Sequence, residues 1–264
     1  MKLLQSTYQN NNSKIIKYLS LIIFIFILSF KANTEIPEKY KIESSLPKCT
    51  GIDYKIWTNC YGEYVFPRNE YKGEWKDGSF HGQGILREAW GAIYIGGFKN
   101  NMAEGYGRQE EPDGSWWEGE IKNDKLHGKA ILYEARDKCR SEGIFKDFQL
   151  NGPGKIKCEV GLTSEGNYKN GSLNGQGIFI SADGSEYSGE WLDGQLNGQG
   201  FIRMNTGAEY SGEFIKDKLN GQGEIKWLNG TIESGQFVDN ILNGPGFIRY
   251  EKGEEYSGEL VDGK

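Results

Sequence analysis

Residues 71–84 read Tyr-Lys-Gly-Glu-Trp-Lys-Asp-Gly-Ser-Phe-His-Gly-Gln-Gly. Tyr71 and Trp75 flank Gly73 at period two, so both rings point to one face of an extended strand. Asp77-Gly78 then supplies a pair that accepts the positive φ of a tight hairpin turn. Gly82 and Gly84 lead into Ile85-Leu86, a second strand. Glycine inside a strand costs stability unless another group approaches its bare backbone. An aromatic ring lying flat on it is the simplest such group. These fourteen residues therefore encode one antiparallel hairpin.

The columns of this stretch recur along the chain. The glycine after the first aromatic falls at 73, 96, 119, 143, 166, 189, 212, 235 and 258, every step being 23 residues except one of 24. Two residues later stands a large apolar side chain: Trp75, Phe98, Ile121, Phe145, Tyr168, Trp191, Phe214, Phe237, then Leu260. The Gly-x-Gly pair returns in each complete unit, broken only where Ala130 replaces its second glycine. Turn pairs such as Asn100-Asn101, Asn123-Asp124, Asn170-Gly171 and Asp193-Gly194 follow the first strands. A third glycine column, as in Pro112-Asp113-Gly114 and Ala182-Asp183-Gly184, ends the second strands. Each hairpin leads into the next. A lone hairpin is marginal in water, whereas stacked ones share a continuous apolar face with nearest-neighbour energetics. The expected fold is all-β: an elongated single-layer array of antiparallel hairpins, preceded by a short N-terminal hydrophobic helix.

The pattern from Tyr71 to Gly84, kept over residues 71–264 in about nine units with the last cut short at Lys264, resembles the MORN repeat. The resemblance implies a β-hairpin array used for protein association or for holding a protein near a membrane. Most units carry Leu-Asn-Gly, as in Leu173-Asn174-Gly175, where the family often has His-Gly, and the fourth unit has Ser141 in the aromatic slot.

Composition agrees with short strands and tight turns. There are 38 glycines in 264 residues, about twice the usual share of roughly 7%, and the 13% of aromatics is too high for a disordered glycine-rich linker. The net charge is −6, although Lys2, Lys14, Lys17 and Lys31 make the first 31 residues basic. The body is therefore strongly acidic, which argues against nucleic acid as a partner.

Residues 18–30 contain no charge and follow Lys14 and Lys17. A basic stretch ahead of about 7–15 apolar residues is the layout of a secretory signal; a spanning helix wants about 20. Residues 1–32 read as a cleaved signal or an uncleaved anchor, residues 33–70 as a linker and capping half-repeat, and 71–264 as the repeats. Either way the body is carried across the membrane, giving an exported (periplasmic or secreted) protein or one anchored with its body on the non-cytoplasmic side.

Four cysteines behind such a segment suggest disulfides. Cys60 stands in the half-repeat where a glycine of the pair would be, so a Cys49–Cys60 bridge would pin the cap. Cys139 opens the first strand of the fourth unit and Cys158 closes its second, which a hairpin turning near residue 149 would bring together. A zinc site needs short ligand spacings, and no Cys-x-x-Cys is present.

The aromatic column Tyr71, Tyr94, Trp117, Tyr187, Tyr210 and Tyr256 admits two readings. It is either a candidate binding surface that stacks on sugar rings or a peptide, or the rings cover the glycines and form the core. The acidic column Glu74, Glu120, Glu190, Glu213 and Glu259 reads as a cation-binding ladder or as a solvated strand face. His81 and His127 occupy equivalent turn positions and lack partners for metal or base roles. No nucleophile motif, phosphate loop, metal site or cofactor site is apparent. The expected function is that of a non-enzymatic scaffold for a protein or cell-envelope component, or else a membrane-tethered adaptor held by residues 18–30. The open C-terminal edge suggests end-to-end self-association.

Overall fold

A computed structural model describes residues 42–264. The expected N-terminal hydrophobic helix, the anchor or signal over 18–30 and the first part of the linker lie outside the described residues. The body is one open antiparallel sheet of eighteen strands. They are β1 (Cys60–Val65), β2 (Asn69–Lys76), β3 (Ser79–Glu88), β4 (Ile93–Lys99), β5 (Met102–Glu110), β6 (Trp116–Lys122), β7 (Lys125–Glu134), β8 (Cys139–Lys146) and β9 (Gln149–Cys158). The array continues as β10 (Thr163–Lys169), β11 (Ser172–Ile180), β12 (Glu186–Leu192), β13 (Gln195–Arg203), β14 (Glu209–Ile215), β15 (Lys218–Lys226), β16 (Ile232–Val238), β17 (Ile241–Arg249) and β18 (Glu255–Leu260). Every strand pairs with its neighbours in sequence, from β1 with β2 to β17 with β18. One short 3₁₀ turn, Tyr54–Ile56, is the helical element among the described residues.

The turn chemistry follows from the residues that tolerate positive φ. Asn100 and Asn101 adopt φ of 52° and 67°, the left-handed pair that a two-residue hairpin needs. Asn101 also ties its unit to the previous one: its amide donates to the Phe80 carbonyl at 3.1 Å, and its Oδ1 accepts from the Phe80 amide at 2.8 Å. The same staple joins Asp217 to Leu196 and Asn240 to Leu219. The turns between units are wider. In one of them the Ser181 amide donates to the Ser185 carbonyl, and Gly184 takes φ of 88°.

Register reveals a feature finer than the repeat. The glycine after the first aromatic pairs with the second glycine of Gly-x-Gly on both sides: Gly62 with Gly73, Gly73 with Gly84, Gly84 with Gly96, Gly96 with Gly107. This continues to Gly246 with Gly258. Every strand contributes one glycine to the seam except β7, which contributes Ala130. Within most hairpins the ladder slips by two residues just after the seam, for example where Gly189 to Trp191 on β12 faces Gly200 to Leu196 on β13. The irregularity lies on the second strand, where Asn197, Gly198 and Gln199 stand opposite Glu190, which a pure period-two reading misses.

The core lies on one face over this seam. Trp75, Tyr71, Phe214, Phe237, Leu126, Leu196 and Leu219 are almost fully buried. At the N-terminal end the capping half-repeat closes the sheet. Lys48 bridges in parallel to Tyr61, Cys49 is bonded to Cys60, and Tyr54, Trp57, Tyr64 and Phe66 cluster around Trp75 with ring centroids 4.5–6.4 Å apart. The rings cover the end of the apolar face that no earlier hairpin would cover.

Candidate functional site

The aromatic column divides into two groups according to the residue nine positions on. Opposite Tyr71 and Tyr94 that residue is Phe80 or Ala103, and each tyrosine lies down on the seam. A Cβ added to Gly73 would sit 2.5 Å from the Tyr71 hydroxyl oxygen. Tyr71 Oη donates to the Glu74 carbonyl at 2.9 Å, with the His81 carbonyl 3.2 Å away, and its ring stacks on Phe80 at 3.9 Å. Tyr94 donates to the Gly97 carbonyl in the same way. Opposite Trp117, Tyr187 and Tyr210 the residue nine on is a leucine, and beside Tyr187 and Tyr210 the leucine takes the seam. Leu196 Cδ2 would be 2.8 Å from a Cβ on Gly200, and Leu219 Cδ1 the same distance from one on Gly223. Displaced, Tyr187 brings its hydroxyl to Met204 Sδ at 3.9 Å. Tyr256 lies on Gly258 and donates to the Glu259 carbonyl.

The column thus serves the core in its first members and is accessible in its last. Tyr71, Tyr94, Trp117 and Tyr187 are buried, Tyr210 is half-buried and Tyr256 is 41% exposed. Burial raises the Tyr71, Tyr94 and Tyr168 hydroxyl pKa values, the last from 10 to about 12.

Both disulfides predicted from the sequence form. Cys49–Cys60 spans 11 residues and Cys139–Cys158 spans 19, and no free cysteine remains. Cys139 and Cys158 are directly opposed in β8 and β9. The bridge sits at the end of the hairpin whose aromatic slot holds the buried Ser141. It ties together the strand ends of a unit whose first aromatic slot holds no ring.

The acidic column does not form a cluster. The side chains of Glu74, Glu120, Glu190 and Glu213 each lie against the first glycine of their own hairpin's Gly-x-Gly: Gly82, Gly128, Gly198 and Gly221. Among the described residues no group of three or more His, Cys, Asp or Glu is placed to hold a metal ion. Nδ1 of His81 is buried without a hydrogen-bond partner. On the other face of the sheet a shallow depression of about 690 Å³ lies over the seam, lined by Ser211, Gln222, Glu224, Ser234 and Phe247 with the glycines between. Across the register Ser211 and Ser234 flank Glu224, whose carboxylate pairs with Lys226 at 3.1 Å. What this arrangement offers is extended surface.

An open ladder of hairpins, most of them laying a ring or a leucine on their own bare glycines, defines a β-hairpin repeat protein. The chain belongs to the MORN repeat family: the family's model matches residues 71–91, 94–116, 117–133, 165–186, 187–208, 210–232 and 234–255, more than half of the chain. The unmatched unit between 133 and 165 folds as the same hairpin, β8 with β9, under its disulfide. Alsin of Rattus norvegicus is 31% identical over 97 residues, 33% of this chain and 6% of that protein. Alsin of Homo sapiens is 30% identical over 105 residues, 37% of this chain and 6% of that protein. The chain spans less than a tenth of the length of these relatives. Among solved structures, the SAS-4 TCP domain of Drosophila melanogaster, in complex with a proline-rich motif of Ana2, covers 68% of this chain and 84% of its own at 12% identity and a TM-score of 0.29. The TCP10 domain of Danio rerio CPAP, in complex with a peptide of STIL, covers 75% and 98% at 13% identity and a TM-score of 0.28.

Proposed function

We propose that this protein is a non-enzymatic scaffold that presents its extended sheet to a protein or cell-envelope partner on the exported side of a membrane, periplasmic or secreted. The observation that carries the reading is the pair of disulfides, Cys49–Cys60 and Cys139–Cys158, in a chain whose residues 14–30 have the layout of an export signal. Disulfides persist in oxidising compartments. The family supports interaction as the role, since a hairpin ladder offers long faces and edges rather than an enclosed pocket. The division of labour is 1–32 as signal, 33–70 as linker and cap, and 71–264 as repeats. The presented surface includes the accessible end of the aromatic column, Tyr210 and Tyr256.

The test is the intact mass of the native protein in soluble and membrane fractions, with and without reduction. A soluble species that begins near residue 33 and gains two hydrogens per bridge on reduction supports the reading. A full-length species confined to the membrane fraction replaces it with a tethered adaptor held by residues 18–30. Free thiols before reduction overturn the assignment of an oxidising compartment.

A further inference from the structure

Two turns of the ladder carry the same order of residue types. Tyr168-Lys169-Asn170-Gly171-Ser172 spans the turn inside one hairpin, and Trp227-Leu228-Asn229-Gly230-Thr231 joins two hairpins. In each, an aromatic stands two residues before an asparagine, glycine follows the asparagine, and a hydroxyl comes next. Asn-x-Ser/Thr, with x other than proline, is the acceptor for N-linked glycosylation where it lies on the surface of an exported protein. The other Asn-Gly pairs, at Asn151, Asn174, Asn197, Asn220 and Asn243, are followed by proline or glutamine and do not qualify.

The fold places both asparagines outside and asks little of their amides. Asn170 is exposed at the tip between β10 and β11, with φ of 50° ahead of Gly171 at 80°. Asp77, Asp147, Asp193 and Asp239 take the same φ at the equivalent position, so the turn has no need of an amide nitrogen there. The backbone holds the tip, the Gly171 amide donating to the Leu150 carbonyl at 2.9 Å. Asn229 is exposed between β15 and β16, and its Oδ1 accepts from the Thr231 amide at 2.9 Å. In the equivalent turns Asp113 accepts from the Ser115 amide and Asp183 from the Ser185 amide. A carboxylate serves these turns, so only the oxygen of Asn229 is used and its Nδ2 is surplus. A substituent on Nδ2 leaves that oxygen, and the turn, intact. Beside it Trp227 and Leu228 are 38% and 79% exposed, and the indole offers the C–H face of a first sugar an apolar ring.

We propose that Asn170 and Asn229 carry N-linked oligosaccharides. The proposal rests on the export reading above, in its secreted form, and names the donor class: an oligosaccharide linked to a polyprenyl diphosphate. The asparagine Nδ2 attacks the anomeric carbon. A C–N bond forms, the C–O bond to the diphosphate breaks, the diphosphate leaves with that electron pair, and Nδ2 gives up one proton. Turns within hairpins and turns between them alternate along an antiparallel ladder, so the two glycans stand on opposite margins of the sheet. They would hydrate both margins and leave a partner the faces.

The test translates the full-length chain in vitro with endoplasmic-reticulum microsomes. Protection of the body from added protease reports translocation, and slower electrophoretic mobility that endoglycosidase H reverses reports the glycans. A protected chain with two such mobility steps is expected, falling to one in Asn170→Gln or Asn229→Gln and to none in the double variant. Ser172→Ala and Thr231→Ala, which keep the asparagines in their turns, should each remove the same step as the corresponding Asn→Gln change. A protected chain without glycans overturns the proposal and leaves the export reading standing. Steps that survive the double variant assign the sugar to another residue, such as Asn11 in Asn11-Asn12-Ser13, and also overturn it. An unprotected chain defeats the export reading, and the proposal falls with it.

Discussion

Leu196 rests on Gly200. Its Cδ2 would be 2.8 Å from a Cβ at that glycine, in the space that the Tyr94 ring fills over Gly107 four hairpins upstream. Leucine and tyrosine are alternative covers for one bare backbone site, and whichever is absent, the other lies down.

Removing the leucine should therefore cost less where a ring stands ready. Leu196→Ala leaves Tyr187 able to turn onto Gly189 and Gly200, as Tyr94 does beside Ala103. Leu242→Ala leaves no substitute, because Glu233 holds the aromatic slot. Both leucines are buried, and such truncations cost about 2–5 kcal/mol. Leu242→Ala is expected at the upper end and Leu196→Ala about 1 kcal/mol or more below it, measured by urea denaturation.

The two glycines of a cross-strand pair should respond differently. A methyl at Gly200 meets mobile ends of Leu196 and Phe214, whereas one at Gly212 meets the Gly223 Cα at 2.5 Å and a φ of 137°. Strain at such a φ costs about 1–3 kcal/mol and overpacking a similar amount. Gly212→Ala is expected to destabilise by about 3 kcal/mol or more, and Gly200→Ala by about half of that. Equal effects would mean that the seam tolerates side chains everywhere.

The Cys139–Cys158 bridge closes a loop with a sequence separation of 19 residues, for which chain-entropy arguments give about 3 kcal/mol. The paired change Cys139→Ala/Cys158→Ala should lower stability by roughly that amount. In hydrogen exchange the loss should appear first in β8 and β9, since an array transmits energy mainly between neighbours.

Alkali should weaken the fold. Burial holds Tyr168 neutral up to about pH 12 and raises Tyr71 and Tyr94 as well, while an unfolded tyrosine titrates near 10. Between these values the unfolded chain binds fewer protons than the folded one, so stability falls as pH rises. The contribution is complete below about pH 10 and disappears as pH passes through the folded values. A pH series of denaturation midpoints, followed with tyrosinate absorbance, checks both the window and its sign.

The hairpins, their turns and both disulfides are legible in the sequence because each depends on local chemistry. Asn100-Asn101 can turn, Tyr71 and Trp75 alternate, and Cys139 and Cys158 close one hairpin. The burial of Tyr71 and Tyr94 follows from the same reasoning about bare glycines. What does not follow is anything decided between columns. The exchange of Tyr187 for Leu196 depends on two side chains competing for one site, and the slip across Asn197–Gln199 shifts the register that fixes which residues face each other.

The glycine seam runs through seventeen of the eighteen strands, from Gly62 to Gly258. Each hairpin thus offers its successor the same junction that it received from its predecessor. A tandem duplication or loss of 23 residues would keep glycine facing glycine at the new junction, so copy number is a variable that inheritance can adjust while the seam stays in register. The Ala130 interruption shows the tolerance of that arrangement: a methyl enters the seam between Gly119 and Gly143.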